Sequence, residues 1–261
     1  MPPAIPPSIP RAALVTGGTK RIGRAISLAL AGAGFAVAIH CRARNEDTEA
    51  TAAACRAHGV TAVIVEADLS DEAQTANLIE TAAATLGPLG VLINSASRFE
   101  RDEWDDASRA TWDHHIETNL RAPFVLMQDF ARALPPSGEG AVINLIDQRV
   151  WSLTPHFVTY TLSKAGLWTL TQTMALALAP RIRVNAIGPG PTLPSPRQTQ
   201  AQFARQEKSV PLRHGATPEE VASGVIAILA LPAMTGQMLA LDGGQHMNWQ
   251  AGPRSADPED E

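Results

Sequence analysis

Thr16-Gly17-Gly18-Thr19-Lys20-Arg21-Ile22-Gly23 follows an apolar run at 12–16 and leads into an alanine- and leucine-rich stretch at 21–33. Glycines let a chain turn tightly and bring its backbone close to a ligand. The helix that follows offers unpaired N–H groups and a positive dipole end, which suit an anion. A strand, a glycine turn and a helix in that order open a βαβ unit of the kind that cradles a pyrophosphate.

The rest of the chain repeats the alternation. Further short apolar runs lie at 35–40, 62–66, 91–94, 141–146, 182–187 and 238–241. They are β-branched and nearly continuous, as expected of strands covered on both faces. Helical periodicity is found at 21–33, 46–58, 71–86, 108–133, 155–178 and 217–231. This predicts an α/β domain: a doubly wound parallel sheet of about seven strands flanked by helices. There is no internal repeat and no interior linker, so one domain is expected over 11–250. A proline-rich leader over 1–10 is expected to be flexible, and an acidic tail over 251–261 to be disordered. The least regular stretch, 188–214, is a candidate substrate lid, because ligands of open α/β sheets bind at the carboxyl ends of strands.

Composition narrows the functions. The net charge of −5, with no run of basic residues, argues against a nucleic-acid or anionic-membrane surface. No apolar run reaches the length of a membrane span, and the first ten residues lack the order of a signal peptide. The two cysteines, Cys41 and Cys55, form no CxxC pair, which argues against a zinc site or disulfide framework and fits a cytoplasmic protein. His114 and His115 are adjacent, point apart on a helix and make a poor metal pair.

The end of the second strand selects the dinucleotide. An NAD site places an acid about 20 residues beyond the glycines, to hold the ribose 2′-hydroxyl. Here His40-Cys41-Arg42-Ala43-Arg44 stands there, and the first acid is Glu46. Arg42 and Arg44, with Lys20 from the turn, suit a 2′-phosphate and hence NADP(H).

The chain has one tyrosine and three lysines, and Lys164 lies four residues after Tyr160. On a helix these side chains share a face. An ammonium beside a phenol is expected to lower its pKa, so that the phenol exchanges a proton near neutrality.

With these residues on view, the chain resembles the short-chain dehydrogenase/reductase family. Thr16 to Gly23, Asn94-Ser95-Ala96-Ser97, Asn119, Tyr160 with Lys164, Asn185 to Gly190, Thr235-Gly236-Gln237 and Leu241-Asp242-Gly243-Gly244 occur in its order and spacing, over about 11–247. The resemblance implies a Rossmann fold and an NADP-dependent oxidoreductase, with Tyr160 as proton donor. Lys164 would tune that tyrosine and hold the nicotinamide ribose, and Asn119 would hold a water relay. It implies cofactor contacts from Gly17, Thr19, Lys20, Arg21, Ile22, Gly23, His40, Arg42, Ala43, Asp68, Leu69, Asn94, Ala96, Pro189 and Gly190. It also implies a homotetramer built through helices such as 108–133 and 155–178.

Three departures refine the expectation. The family serine thirteen residues before the tyrosine is Asp147, a turn glycine is Arg21, and Asn-Asn-Ala-Gly is Asn94-Ser95-Ala96-Ser97, followed by Arg98 and Phe99. An ionised carboxylate repels a developing oxyanion, yet suits a substrate with N–H donors or a ring nitrogen to be protonated. Together the departures resemble the pteridine reductases and dihydromonapterin reductases. That branch implies a pterin between the nicotinamide and Phe99, contacted by Ser97 and Arg21, with Asp147 and Tyr160 supplying the proton. The alternatives are a carbonyl reductase acting on a ketone or 3-oxoacyl thioester, and a non-catalytic cofactor-binding sensor. Trp151 and Trp168 read as core or subunit contact, and the charged run 98–106 reads as a solvated loop at the site mouth.

Overall fold

The structure, a computed structural model, describes residues 4–247. Residues 1–3, 248–250 and the expected tail over 251–261 lie outside the described residues. The elements run β1 (Ala12–Val15), α1 (Arg21–Gly32), β2 (Ala36–Cys41), α2 (Glu46–Arg56), β3 (Ala62–Glu66), α3 (Glu72–Thr75), α4 (Leu78–Leu86) and β4 (Val91–Asn94). They continue with α5 (Arg109–Ile116), α6 (Ala122–Ala133), β5 (Gly140–Leu145), α7 (Val158–Leu178), β6 (Ile182–Pro189), α8 (Gln200–Ser209), α9 (Pro218–Leu229) and β7 (Met238–Leu241).

All neighbouring strands pair parallel, in the order β3-β2-β1-β4-β5-β6-β7. This is the seven-stranded Rossmann sheet expected. Helices α1, α2 and α9 cover one face, and α4, α6 and α7 the other, each over its own apolar cluster. Every residue of β1, β4 and β5 is therefore buried, which is why those runs read as continuous rather than alternating. The chain crosses from the β3 edge back to β4, so the order reverses between β1 and β4. Their carboxyl ends form the switch-point crevice where open α/β sheets bind ligands.

Four expectations are corrected by packing. Over 4–10 the leader lies on the domain: Ile9 is 1% exposed in the core, and Ser8 hydrogen-bonds Glu139 through both side chain and carbonyl. The helix expected over 108–133 is interrupted by a π-helical turn, Glu117–Arg121. The irregular stretch 188–214 contains α8, whose start is fixed by a capping box between Thr199 and Gln202. Of the two readings of Trp151, core is excluded by its 43% exposure, its ring standing edge-on to Trp168 and His246.

Candidate active site

The glycine turn is shaped by close approach. A Cβ on Gly17, at φ +62°, would stand 3.0 Å from the Ala96 Cα, and one on Gly23 would stand 2.1 Å from the Gly17 carbonyl oxygen. Thr16 ties the two strand ends together, its hydroxyl accepting from the Ser95 and Ala96 N–H groups. His40 is buried beneath the turn, accepting from the Gly17 N–H at Nδ1 and bonding the Ala67 carbonyl through Nε2. Burial holds its imidazole below the ordinary pKa, so it braces the turn as a neutral ring.

Arg21 explains its own departure. It stands where the family has glycine and keeps the left-handed φ, +53°. A side chain there costs roughly 1–2 kcal/mol. Its guanidinium donates to the carbonyls of Pro194 and Leu193, at 3.0 and 3.2 Å, and two such bonds offset a cost of that size. Arg21 thereby ties the turn to the loop after β6.

The donor set fits a dinucleotide. Helix α1 has no side-chain cap and no acid in its first turn, leaving its N–H groups to an anion. Thr19, Lys20 and Ile22 lie on this turn, and Pro189 and Gly190 line the same cleft from the end of β6. Asn94 donates to Asn144 at 2.8 Å while its buried Oδ1 has no partner among the described residues. Beyond β2, Arg44 is drawn away: its backbone N–H donates to Glu66 and its guanidinium to the Ile64 carbonyl. Arg42, beside exposed Ala43, and Lys20 in the turn are exposed cations that suit a 2′-phosphate. Asp68 closes its own turn on Ser70, which together with the charges of Arg42 and Arg98 holds its carboxyl below the usual range; Leu69 is buried next to it.

On the other side of the cleft, the Tyr160 hydroxyl donates to Asp147 Oδ2 at 2.9 Å. Asp147 Oδ1 caps the following 3-10 turn by accepting from the Arg149 N–H at 2.8 Å, so this one side chain both caps and serves the site. Lys164 Nζ donates to the Leu145 carbonyl and lies 5.8 Å from the Tyr160 ring centroid. The expected lowering of the phenol pKa is corrected. Burial first, then the charge and hydrogen bond of Asp147, push Tyr160 well above its ordinary value, against smaller opposing effects of Arg149 and Ser97. Burial lowers Lys164 to about 8, with Asp147 pulling the other way. The phenol is therefore a protonated donor in this pocket.

Asn119 sits in the π-helical turn, at Glu117–Arg121. It accepts from the Arg98 N–H and donates to the Arg98 carbonyl and to Ser163 Oγ. Ser97 donates to the Arg98 carbonyl and bears on the Tyr160 hydroxyl. Phe99 stacks on Phe157 at 4.8 Å and meets the Tyr160 ring edge-on at 4.7 Å, yet remains 36% exposed. The cleft, about 150 Å³, is narrowed by the 191–198 stretch, which Arg197 also ties down through the Phe99 carbonyl.

Sequence reading missed Phe157, Arg149 and Arg197 in this lining. Neither spacing nor period marks them, because two separate connections, β5 to α7 and β6 to α8, bring them together. The run 98–106 is solvated except at Asp102, which is 3% exposed and hydrogen-bonded to α7.

Residues 11–205 match the family model for short chain dehydrogenases. The chain belongs to the short-chain dehydrogenase family. Among solved structures, FolM alternative dihydrofolate reductase 1 from Brucella canis, complexed with NADP, is 44% identical, with a TM-score of 0.90 over 94% of this chain and 98% of its own. The Brucella suis FolM, also in complex with NADP, is 46% identical, with a TM-score of 0.89 over 92% and 96%. Among sequence relatives, the 3-oxoacyl-[acyl-carrier-protein] reductase FabG of Staphylococcus aureus is 30% identical over 250 residues, 91% of this chain and 98% of its own.

Proposed function

We propose that this short-chain dehydrogenase is an NADPH-dependent reductase of a pterin ring. The observation that carries the reading is the Asp147–Tyr160 hydrogen bond, 2.9 Å long, beside the partly exposed ring of Phe99. A carboxylate at that position opposes the oxyanion of a reduced ketone but accepts from the N–H groups of a pterin. The resemblance to FolM supports the same substrate class, and the NADP of both FolM structures, with Arg42 after β2, supports the phosphorylated cofactor.

The α1 N-terminus and Pro189–Gly190 would hold NADPH, which would supply a hydride for the carbon of a ring C=N bond. The chain's own residues manage the proton. Tyr160 keeps its proton until the ring nitrogen gains electron density, then gives it up. Asp147 orients that hydroxyl and accepts from ring N–H groups. Lys164 and Arg149 supply positive charge to balance the phenolate. Phe99 offers a flat surface on which a heteroaromatic ring stacks.

The 30% identity to FabG favours a second reading, reduction of a 3-oxoacyl thioester or ketone by Tyr160 and Lys164. One experiment separates the two. NADPH and NADH oxidation is followed with dihydromonapterin, dihydrobiopterin, a 3-oxoacyl thioester and a simple ketone, for wild type and Asp147→Ser. Pterin turnover with NADPH is expected, and Asp147→Ser is expected to lower it by about 100-fold or more, the scale of a lost proton-transfer group. Equal pterin turnover in both would remove the role given to Asp147. Turnover of carbonyls alone would replace the pterin reading with the second.

A further inference from the structure

Phe99 belongs to no strand, yet its backbone is pinned residue by residue. Asn119 holds both polar groups of Arg98, and Arg197 holds the Phe99 carbonyl. The Glu100 N–H donates to His115 Nε2 at 3.1 Å. The Asp102 carbonyl accepts from the Phe157 N–H at 2.9 Å, and Asp102 Oδ1 accepts from the Thr159 N–H at 3.1 Å. Helix α7 is preceded by its N-cap residue Phe157, at φ +56° and with no capping side chain, so Asp102 caps the catalytic helix from another loop. Thr159 Oγ1 completes the set by hydrogen-bonding Asp102 Oδ2 and His115 Nδ1.

The donors and acceptors close without conflict. Because Nε2 accepts from Glu100, Nδ1 carries the proton and donates to Thr159, and Thr159 donates to Asp102. All three side chains are buried, and their hydrogen bonds run to one another, to the Phe99 loop and to the first turn of α7. They do not touch the reacting atoms. Resting on the pterin reading of the site, we propose that Asp102, Thr159 and His115 are positioning residues that fix Phe99 against Tyr160 and so set the affinity for a flat ring.

The clasp has a pH signature. His115 is faced by Asp102 and Glu100 from the loop, His114 on its own helix, and Lys164 and the Tyr160 ring from α7. Burial outweighs the two carboxylates and holds its pKa below 6.5. Protonation puts a hydrogen on Nε2, facing the Glu100 N–H, and breaks that link. Ring affinity is therefore intact at neutral pH and falls as pH drops through the folded-state pKa of His115.

The test uses full-length Thr159→Val, Thr159→Ser and His115→Gln, with dihydrobiopterin and a simple ketone as probes, from about pH 8 to about pH 5. Thr159→Val, which removes both hydrogen bonds of the hydroxyl, is expected to raise the pterin KM at least about tenfold. Its kcat, its NADPH affinity by fluorescence and its ketone kinetics should stay near wild type, and Thr159→Ser should restore the KM. The acid-side rise in wild-type KM should vanish in His115→Gln. An unchanged KM in Thr159→Val, or an acid limb that survives in His115→Gln, overturns the proposal. Should wild type reduce only the ketone, the pterin reading fails by itself, and amide exchange judges the clasp. Slow exchange at Glu100 and Thr159 in wild type that turns fast in Thr159→Val supports it; equal exchange overturns it.

Discussion

At the scale of single residues, the site is governed by burial acting on two charges. Desolvation drives Tyr160 and Lys164 toward their neutral forms, and the Asp147 carboxylate favours the proton on both. A serine in that position would leave both protons less firmly held. Lys164 gives a testable consequence. Its pKa falls from 10.5 to about 8 on folding, so between those values the unfolded chain holds a proton that the folded chain has released. Stability is then expected to rise with pH across that window. Denaturant midpoints from about pH 7.5 to about 9.5 should show this rise in wild type and lose it in Lys164→Met. Turnover should move the opposite way, declining as pH climbs through about 8, because the ammonium that balances the Tyr160 phenolate disappears. A flat alkaline limb in wild type would mean that Lys164 does not serve through its charge.

Among the elements, α7 carries Tyr160 and Lys164, while α1 and the turn between α5 and α6 shape the rest of the site. The π-helical turn Glu117–Arg121 rotates Asn119 inward, where a regular helix would carry it elsewhere, and such turns commonly occur at functional sites. Helix α1 meets the glycine turn so closely that Gly23 has no room for a methyl group, since the atom in the way is backbone and cannot swing aside. Gly23→Ala is expected to cost roughly 1–3 kcal/mol by overpacking. Thermal unfolding should report the loss, and NADPH titration a weakened affinity. A variant that matches wild type in both would show that the turn can widen freely. The period of α1 and the Thr199–Gln202 box of α8 are local signals in the sequence; the irregular prolines around α8 obscured the second.

For the molecule as a whole, the sheet order brings the β1 turn and the β4 loop to one crevice, and α7 delivers Tyr160 and Lys164 to it. The outer face of α7 is unusual for a helix so central: Leu162 and Leu176 are exposed, the latter by 84%. We propose that the homotetramer implied by family resemblance covers that face with another copy. Leu176→Glu is expected to reduce the mass measured by light scattering below that of wild type. A tetramer that survives the substitution would remove this part of α7 from the interface. Among the described residues no helix is long and apolar enough to cross a membrane.

The sequence alone determined the alternation of strands and helices, the glycine turn, the absence of an acid after β2, and the pairing of Tyr160 with Lys164. Each is a local fact, set by a period of two or 3.6 residues or by a spacing of four. Asp147 was legible as a departure, but not its double use as cap and hydrogen-bond partner. Only the tertiary structure decided that Gly17 must approach Ala96, that Arg21 bridges to the loop after β6, that His40 braces the glycine turn, and that Asp102 caps α7 from afar. It also reversed the expected shift of the Tyr160 phenol. Charge states follow desolvation, and desolvation depends on which distant segments close over a group.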